Sequence, residues 1–284
     1  MGFRINAKDI TTNYTQTLSE FITELTYEKI PEDVRERAKH LTMQTIGVSL
    51  SAHGLPISGK AVSIAKACGV GEPYATLWGD GSRVSMSSAA FANGTLADVM
   101  DWEDCSWTGH PSAGVIPVAW AVAEALHLSG REFLTAVVAA YEVYQRIAMV
   151  VQPPTDWDIM KGWGLTSWQI FAAVVPAAKL MGLTADQVNQ ALGFGVLCCP
   201  VQSNLHHITM SDAYHFEHGF RAKDGVLAAM VAKAGVDNYM DCFDDTYTFD
   251  YHMTPEPKRE WYTKELGTRW LTKEVLIKHW PANM

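Results

Sequence analysis

The sequence predicts a mainly α protein, a bundle of packed helices, on three observations. Apolar residues recur at helical spacing through most of the chain to about residue 235. Several of these segments are rich in Ala and Gly and almost free of charge, as in "SSAAFANGTLA", "GVIPVAWAVAEAL" and "FAAVVPAAKLMG", which marks helices buried on most of their surface and packed closely. Runs of β-branched and aromatic residues are confined to the end, in "TRWLTKEVLIKHW", where a partly β element is expected to begin near residue 267. With 284 residues, 48% of them hydrophobic and 19% charged, the chain can bury a large core.

Taken in order, a first helix is expected near 12 to 28. The next opens at Pro31, a residue suited to the first helical position, carries Glu32 and Asp33 in the first turn where the helix dipole favours acids, and repeats Val34, Ala38 and Leu41 at i, i+4, i+7. Further helices are read near 57 to 68, 85 to 101, 112 to 128, 131 to 151, 165 to 181, 185 to 198 and 219 to 234. Ser129 and Gly130 act as a stop signal, and "MGLTADQ" from Met181 as a stop followed by a new start. From Val236 an acidic, aromatic stretch with two prolines reads as a long loop or irregular connection.

Composition narrows the function. A net charge of −9 argues against a nucleic-acid backbone or an anionic membrane surface as partner, since both need clustered Lys and Arg. The five cysteines, Cys68, Cys105, Cys198, Cys199 and Cys242, show no CxxC pair, so neither a disulfide framework nor a zinc knuckle is expected, and a reducing, cytoplasmic setting is. The start "MGFRINAKDI" is polar, with Asn6 where a myristoylation motif wants Ser or Thr, and no uncharged apolar run reaches the ~18 residues of a membrane span.

The stretch "NGTLADVMDWEDCSWTGH" carries the chemistry: Asp98, Asp101, Glu103 and Asp104 lie within seven residues and are followed by His110. Such acids could cap and solubilise a helix end, although the dipole opposes them at a C-terminus. Asp98 and Asp101, at i and i+3, can face one cleft, while Glu103 is expected to point elsewhere. Asp101 is read as a site residue; Asp98 and Asp104 are read as solvated acids. In "NLHHITMSDAYHFEH", His215 and His218 are three apart and could bind a metal if helical. That stretch reads as loop, so His206, His207, His215 and His218 are taken as cleft-lining, hydrogen-bonded groups, with no metal.

The order of these segments resembles the MmgE/PrpD family, which includes 2-methylcitrate dehydratase, cis-aconitate decarboxylase and iminodisuccinate epimerase. "KHLTMQTIGVSLSA", "AAFANGTLADVMDWED", "GHPSAGVIPVAWAVAEAL", "TSWQIFAAVVPAAKLMGLTADQVNQALGFG" and "RAKDGVLAAMVAKAGV" each resemble a family helix, and the acidic cluster with the His-Pro-Ser turn is the most specific part. The resemblance implies a helical domain, here 1 to 250, then a smaller α/β lid, of which 251 to 284 hold only a connection and first strands. It also implies a homodimer and cofactor-free lyase or isomerase chemistry on polycarboxylates. Asp101 and His110 match the family's active-site aspartate and histidine: His110 is expected to carry the proton with Asp101 as its partner.

The chain departs from the family at Gly164, where a second catalytic histidine would fall, near Tyr214, where a substrate-binding lysine would fall, and at Gln44 and Asp98, where aspartate and histidine are usual. A site short of cations favours a less charged substrate, because an unpaired buried carboxylate costs several kcal/mol. A small carboxylic acid or a CoA thioester is expected, contacted by Trp102, Trp107, Trp163, His207, Tyr214, His215 and Lys278. The same tryptophans, with Trp168, read equally well as core or dimer-interface aromatics. Lys278 resembles the hinge into the lid, and a strand-end surface position explains it equally well. The expectation is a lyase, dehydratase or decarboxylase, acting next to a carboxylate or thioester. The alternative is one subunit of a heteromer whose second chain supplies the lid, with residues 267 to 284 pairing with that chain or with a continuation of this one.

Overall fold

In the computed structural model the described residues are 11–69, 71–106, 109–151, 167–199, 211–244, 248–254 and 256–282. They form ten α-helices: α1 Tyr14–Glu24, α2 Glu32–Ala52, α3 Pro56–Cys68, α4 Met86–Asp98, α5 Ser112–Ala125, α6 Gly130–Val151, α7 Ile170–Leu180, α8 Ala185–Leu197, α9 Phe216–Lys233 and α10 Phe249–Met253. The mainly α class is therefore correct, and the local signals mark helix boundaries, although Pro31 stands one residue ahead of the first helical position expected for it and Gly130, expected as a stop, opens α6. Pro31 is the residue before α2, and Thr184 begins α8 with a capping box to Gln187.

The layers follow from side-chain size. Helices α5 and α9 pack against each other and against both α4 and α7, and α6 lies on α7. Every residue of α4 from Ser88 to Asp98 is buried. Such burial requires small partners: a Cβ on Gly219 of α9 would lie 2.2 Å from Thr95 Oγ1 and 2.6 Å from the carbonyl oxygen of Phe91, so α9 approaches α4 nearly backbone to backbone. This close approach brings the start of α9 to the end of α4. Among the described helices α6 is long and apolar enough to cross a membrane, and nearly all of it is buried inside the fold.

A hairpin of β1 (Tyr74–Thr76) and antiparallel β2 (Arg83–Ser85) occupies the stretch between α3 and α4, where no strand was expected. Gly79 and Gly81, both at φ +78°, supply the turn, and Glu124 holds Thr76 through both its amide (2.9 Å) and its hydroxyl (2.5 Å).

The tail also differs from expectation. Residues 267 to 282 form no strand beyond an isolated bridge between Leu276 and Cys105, and they lie on this chain's own helices. The reason is a buried polar clamp. The Glu142 carboxylate on α6 accepts from the amides of Leu271 (3.1 Å) and Thr272 (2.8 Å) and from the Thr272 hydroxyl (2.6 Å), and Gln145 donates to the Leu271 carbonyl at 2.8 Å. These bonds wind Leu271–Glu274 into a 3-10 turn and bury Leu271 and Val275. Trp270 is half-buried and Trp280 is 68% exposed.

Candidate active site

Helix α4 ends at Asp98, and the chain turns sharply at Asp101, which sits at φ +50° with its amide on the Asp98 carbonyl (2.9 Å). Asp tolerates this left-handed conformation better than most residues. The turn rotates the next residues inward: Glu103 and Asp104 are fully buried, although Glu103 was expected to point elsewhere and Asp104 to be solvated. Asp98, also expected to be solvated, is fully buried too.

Three groups of contacts build the site. In the first, Lys278 from the tail donates through Nζ to Glu103 Oε1 (2.7 Å) and to the Asp101 carbonyl (2.9 Å), and Trp102 Nε1 donates to the Lys278 carbonyl at 3.1 Å. Lys278 is a buried site cation and not a surface pair. In the second, His110 Nδ1 lies 2.8 Å from the Asp104 carbonyl and 3.0 Å from Glu103 Oε1. The acid against His110 is thus Glu103, whereas Asp101 was expected there; the Asp101 carboxylate accepts from Tyr214 Oη at 2.6 Å. In the third, Asp98 lies between two imidazoles of the α9 start, with Oδ2 3.4 Å from His215 Nδ1 and Oδ1 3.3 Å from His218 Nε2. The His110 and His218 rings are 6.4 Å apart, edge to face. Gln169 fixes the His110 carbonyl (2.8 Å), and Asp104 is held by Tyr141 Oη (2.7 Å) and the Ser112 amide (3.0 Å).

Burial governs the titration of these groups. It holds Asp98 well above the usual carboxylate range, helped by the charges of Glu103, Asp101 and Glu217 and opposed by Lys278. It raises Glu103 to about 7 even though Lys278 pulls the other way. Asp104 is raised by burial against three hydrogen-bond donors. His110 is pushed down, first by burial and then by the Lys278 charge, and His215 is pushed down by burial.

Of the residues singled out in the sequence, Asp101, Trp102, His110, Tyr214, His215 and Lys278 come together here, while Trp107, Trp163 and His207, with Gly164, lie outside the described residues. Trp168 belongs to the hydrophobic core. Asp98 and Glu103 were missed, whereas His218, expected as a cleft-lining, hydrogen-bonded group, lies against Asp98. A signal existed for Asp98, since a carboxylate on the last turn of a helix otherwise built of small and apolar residues with no other charge has no solvated face to occupy. Asp98, Asp101 and Glu103 bring carboxylate oxygens within 4.8 Å of one another, the one such set among the described residues that could share a cation, and the Lys278 ammonium already lies against Glu103. A separate cavity of about 420 Å³, lined by Tyr27, Arg131 and Lys179, holds none of these groups.

Residues 16–261 match the MmgE/PrpD N-terminal domain. The chain is 28% identical to the cis-aconitate decarboxylase-like protein oryM of Aspergillus oryzae over 94% of its length, and 26% identical to the cis-aconitate decarboxylases of Aspergillus terreus and Homo sapiens over 93% and 95%. It spans 58%, 56% and 56% of those proteins. The match to the family domain covers most of the chain, and the acidic turn, the histidine and the buried lysine all lie where its helices converge: the chain belongs to the MmgE/PrpD family.

Proposed function

We propose that this chain bears the acid–base centre of a lyase that moves a proton on carbon next to a carboxylate or thioester. The observation that carries the reading is the Lys278–Glu103–His110 chain of contacts. The Asp104 carbonyl on Nδ1 can only accept, so Nδ1 holds the proton and a neutral His110 has its lone pair on Nε2. The lowered pKa keeps that imidazole neutral, hence basic, near pH 7. Lys278 supplies the positive charge that a substrate carboxylate needs as negative charge builds on the neighbouring carbon. The relatives' names, cis-aconitate decarboxylase, favour a small carboxylic acid as substrate. Dehydration has the neutral imidazole take a proton from carbon, decarboxylation has the protonated imidazole return one to carbon after CO₂ leaves, and the scaffold does not choose between them.

The test is His110→Asn against a panel of carboxylic acids and their CoA thioesters, read by solvent deuterium uptake, alkene formation and CO₂ release. A loss of ~10²- to 10⁴-fold with unchanged helix content is expected. Activity within a factor of two of wild type sinks the assignment. In this reading charge is handled by an ammonium, so a chelator is expected to leave turnover unchanged, and inhibition reversed by one added metal would overturn that part.

A further inference from the structure

The site contains a second carboxylate–imidazole pair besides Glu103 and His110. Asp98 is fully buried at the end of α4, and its Oδ2 faces Nδ1 of His215, the residue immediately before α9. The His215 side chain keeps 19% of its surface exposed, whereas that of His218, the other imidazole on Asp98, keeps 1%. Asp98 therefore orients one ring that reaches solvent and one that is locked in the core. The Glu103 and Asp98 carboxylates approach within 4.8 Å, so the two pairs belong to one cluster although they stand on different elements.

Resting on the lyase reading, we propose that His215, held through Nδ1 by Asp98, is the second proton-transfer group: it protonates the leaving oxygen while His110 takes the proton from carbon. His110 Nε2 first accepts the carbon-bound proton, the C–H electron pair is held as an enolate on the neighbouring carboxylate or thioester, and that pair then becomes the new C=C bond. The C–O bond breaks, its electron pair stays on oxygen, and the proton from His215 Nε2 converts that oxygen to water. The proton shared by Asp98 and His215 Nδ1 settles on the ring, leaving Asp98 ionised and His110 protonated, and exchange with solvent restores both. Burial favours the neutral forms of Asp98 and His215 alike, which keeps such a proton in the pair near pH 7. His215 is the proposed catalytic residue, and Asp98 acts through it as a positioning residue.

The groups facing the pair are known. Asp101 and Asp212 bear on His215, and Glu103, Asp101, Glu217, Lys278 and the His218 ring bear on Asp98. Separating the two proton transfers gives the experiment. The full chain and its His215→Gln variant are incubated in heavy water with malate, citrate and 3-hydroxybutyryl-CoA, following both deuterium uptake at the carbon next to the carbonyl and alkene formation.

His215→Gln is expected to lower alkene formation ~100-fold while deuterium uptake stays within about threefold of wild type. His110→Asn loses both. A merely structural role for His215 moves the two readouts together, and that result, or unchanged alkene formation, overturns the proposal. If wild type shows neither reaction with any probe, the lyase reading fails, and the pair is judged by NMR of ring-labelled histidine. Asp98→Asn should then shift the midpoint of the His215 titration, because the proton that the ring shares with the carboxyl is replaced by an amide contact. An unmoved midpoint overturns the pairing as well.

Discussion

At the scale of single residues, the site turns on one departure from helical geometry. Asp101 and His110 could be read from the sequence as members of a candidate site, and the structure brings them into one cluster, but their partners could not be read. The i, i+3 spacing that puts Asp98 and Asp101 on one face assumes an uninterrupted helix, whereas α4 stops at Asp98 and Asp101 adopts φ +50°. That turn carries Glu103 in to Lys278, a contact 175 residues away in sequence that no local pattern announces. The pair gives a sharp prediction for Lys278→Met. Lys278 lowers the pKa of buried Glu103 from what burial alone would impose, so its loss raises that pKa further. A carboxyl whose folded pKa is raised costs stability as pH rises through it. The variant should therefore be destabilised by about 3–5 kcal/mol at pH 8, the cost of a broken buried pair, and by clearly less at pH 5, where Glu103 is protonated in both proteins. Denaturant melts at the two pH values check this; an equal penalty at both would show that Glu103 does not titrate in the folded state.

At the scale of elements, what was legible is what local chemistry decides. The order of the helices and several of their starts follow from apolar period and capping residues, because burial of one face is a property of each segment alone. The tail was not legible in this way. "TRWLTKEVLIKHW" has strand-like composition, but the open hydrogen-bonding groups of Leu271 and Thr272 are satisfied by Glu142 and Gln145 on α6 in place of a neighbouring strand. The hairpin at β1 and β2 was missed for a related reason, since three-residue strands are too short to show a period. Glu142 also receives Arg146 Nη1 at 2.7 Å, with both side chains fully buried. Glu142→Gln is expected to leave the Arg146 charge without its carboxylate and to loosen the turn that leads to Lys278. Hydrogen exchange should then rise at 271–276 while α4 and α5 stay protected, and turnover should fall with them. Unchanged protection at 271–276 would mean that burial of Leu271 and Val275 anchors the tail without the clamp.

At the scale of the whole molecule, the buried site sets how stability responds to pH. Asp98 and Glu103 have folded pKa values raised above their ordinary 3.8 and 4.5, Glu103 to about 7, and Asp98 first by burial and then by the charges of neighbouring carboxylates. Each binds more protons folded than unfolded, so each withdraws stability as pH rises toward its folded pKa. His110 and His215 are shifted below 6.5, bind fewer protons folded than unfolded, and withdraw stability as pH falls below 6.5. Between pH 4.5 and 6.5 the two effects oppose each other. Above pH 6.5 the histidine contribution fades because the unfolded chain also loses those protons, and the carboxyl contribution continues. Asp80, drawn down to about 2 by Lys66 and Ser82, titrates far below this window and does not enter it. Unfolding free energy should accordingly decline from pH 6.5 to pH 8, by on the order of 1 kcal/mol per pH unit for each carboxyl still protonated in the folded state. Denaturant melts at constant ionic strength measure the slope, and Asp98→Asn and Glu103→Gln should each flatten it, since neither amide has a proton to release. A stability that is level or rising across that window in the wild type would mean that the cluster folds ionised, with its charge balanced by Lys278 and by protonated imidazoles.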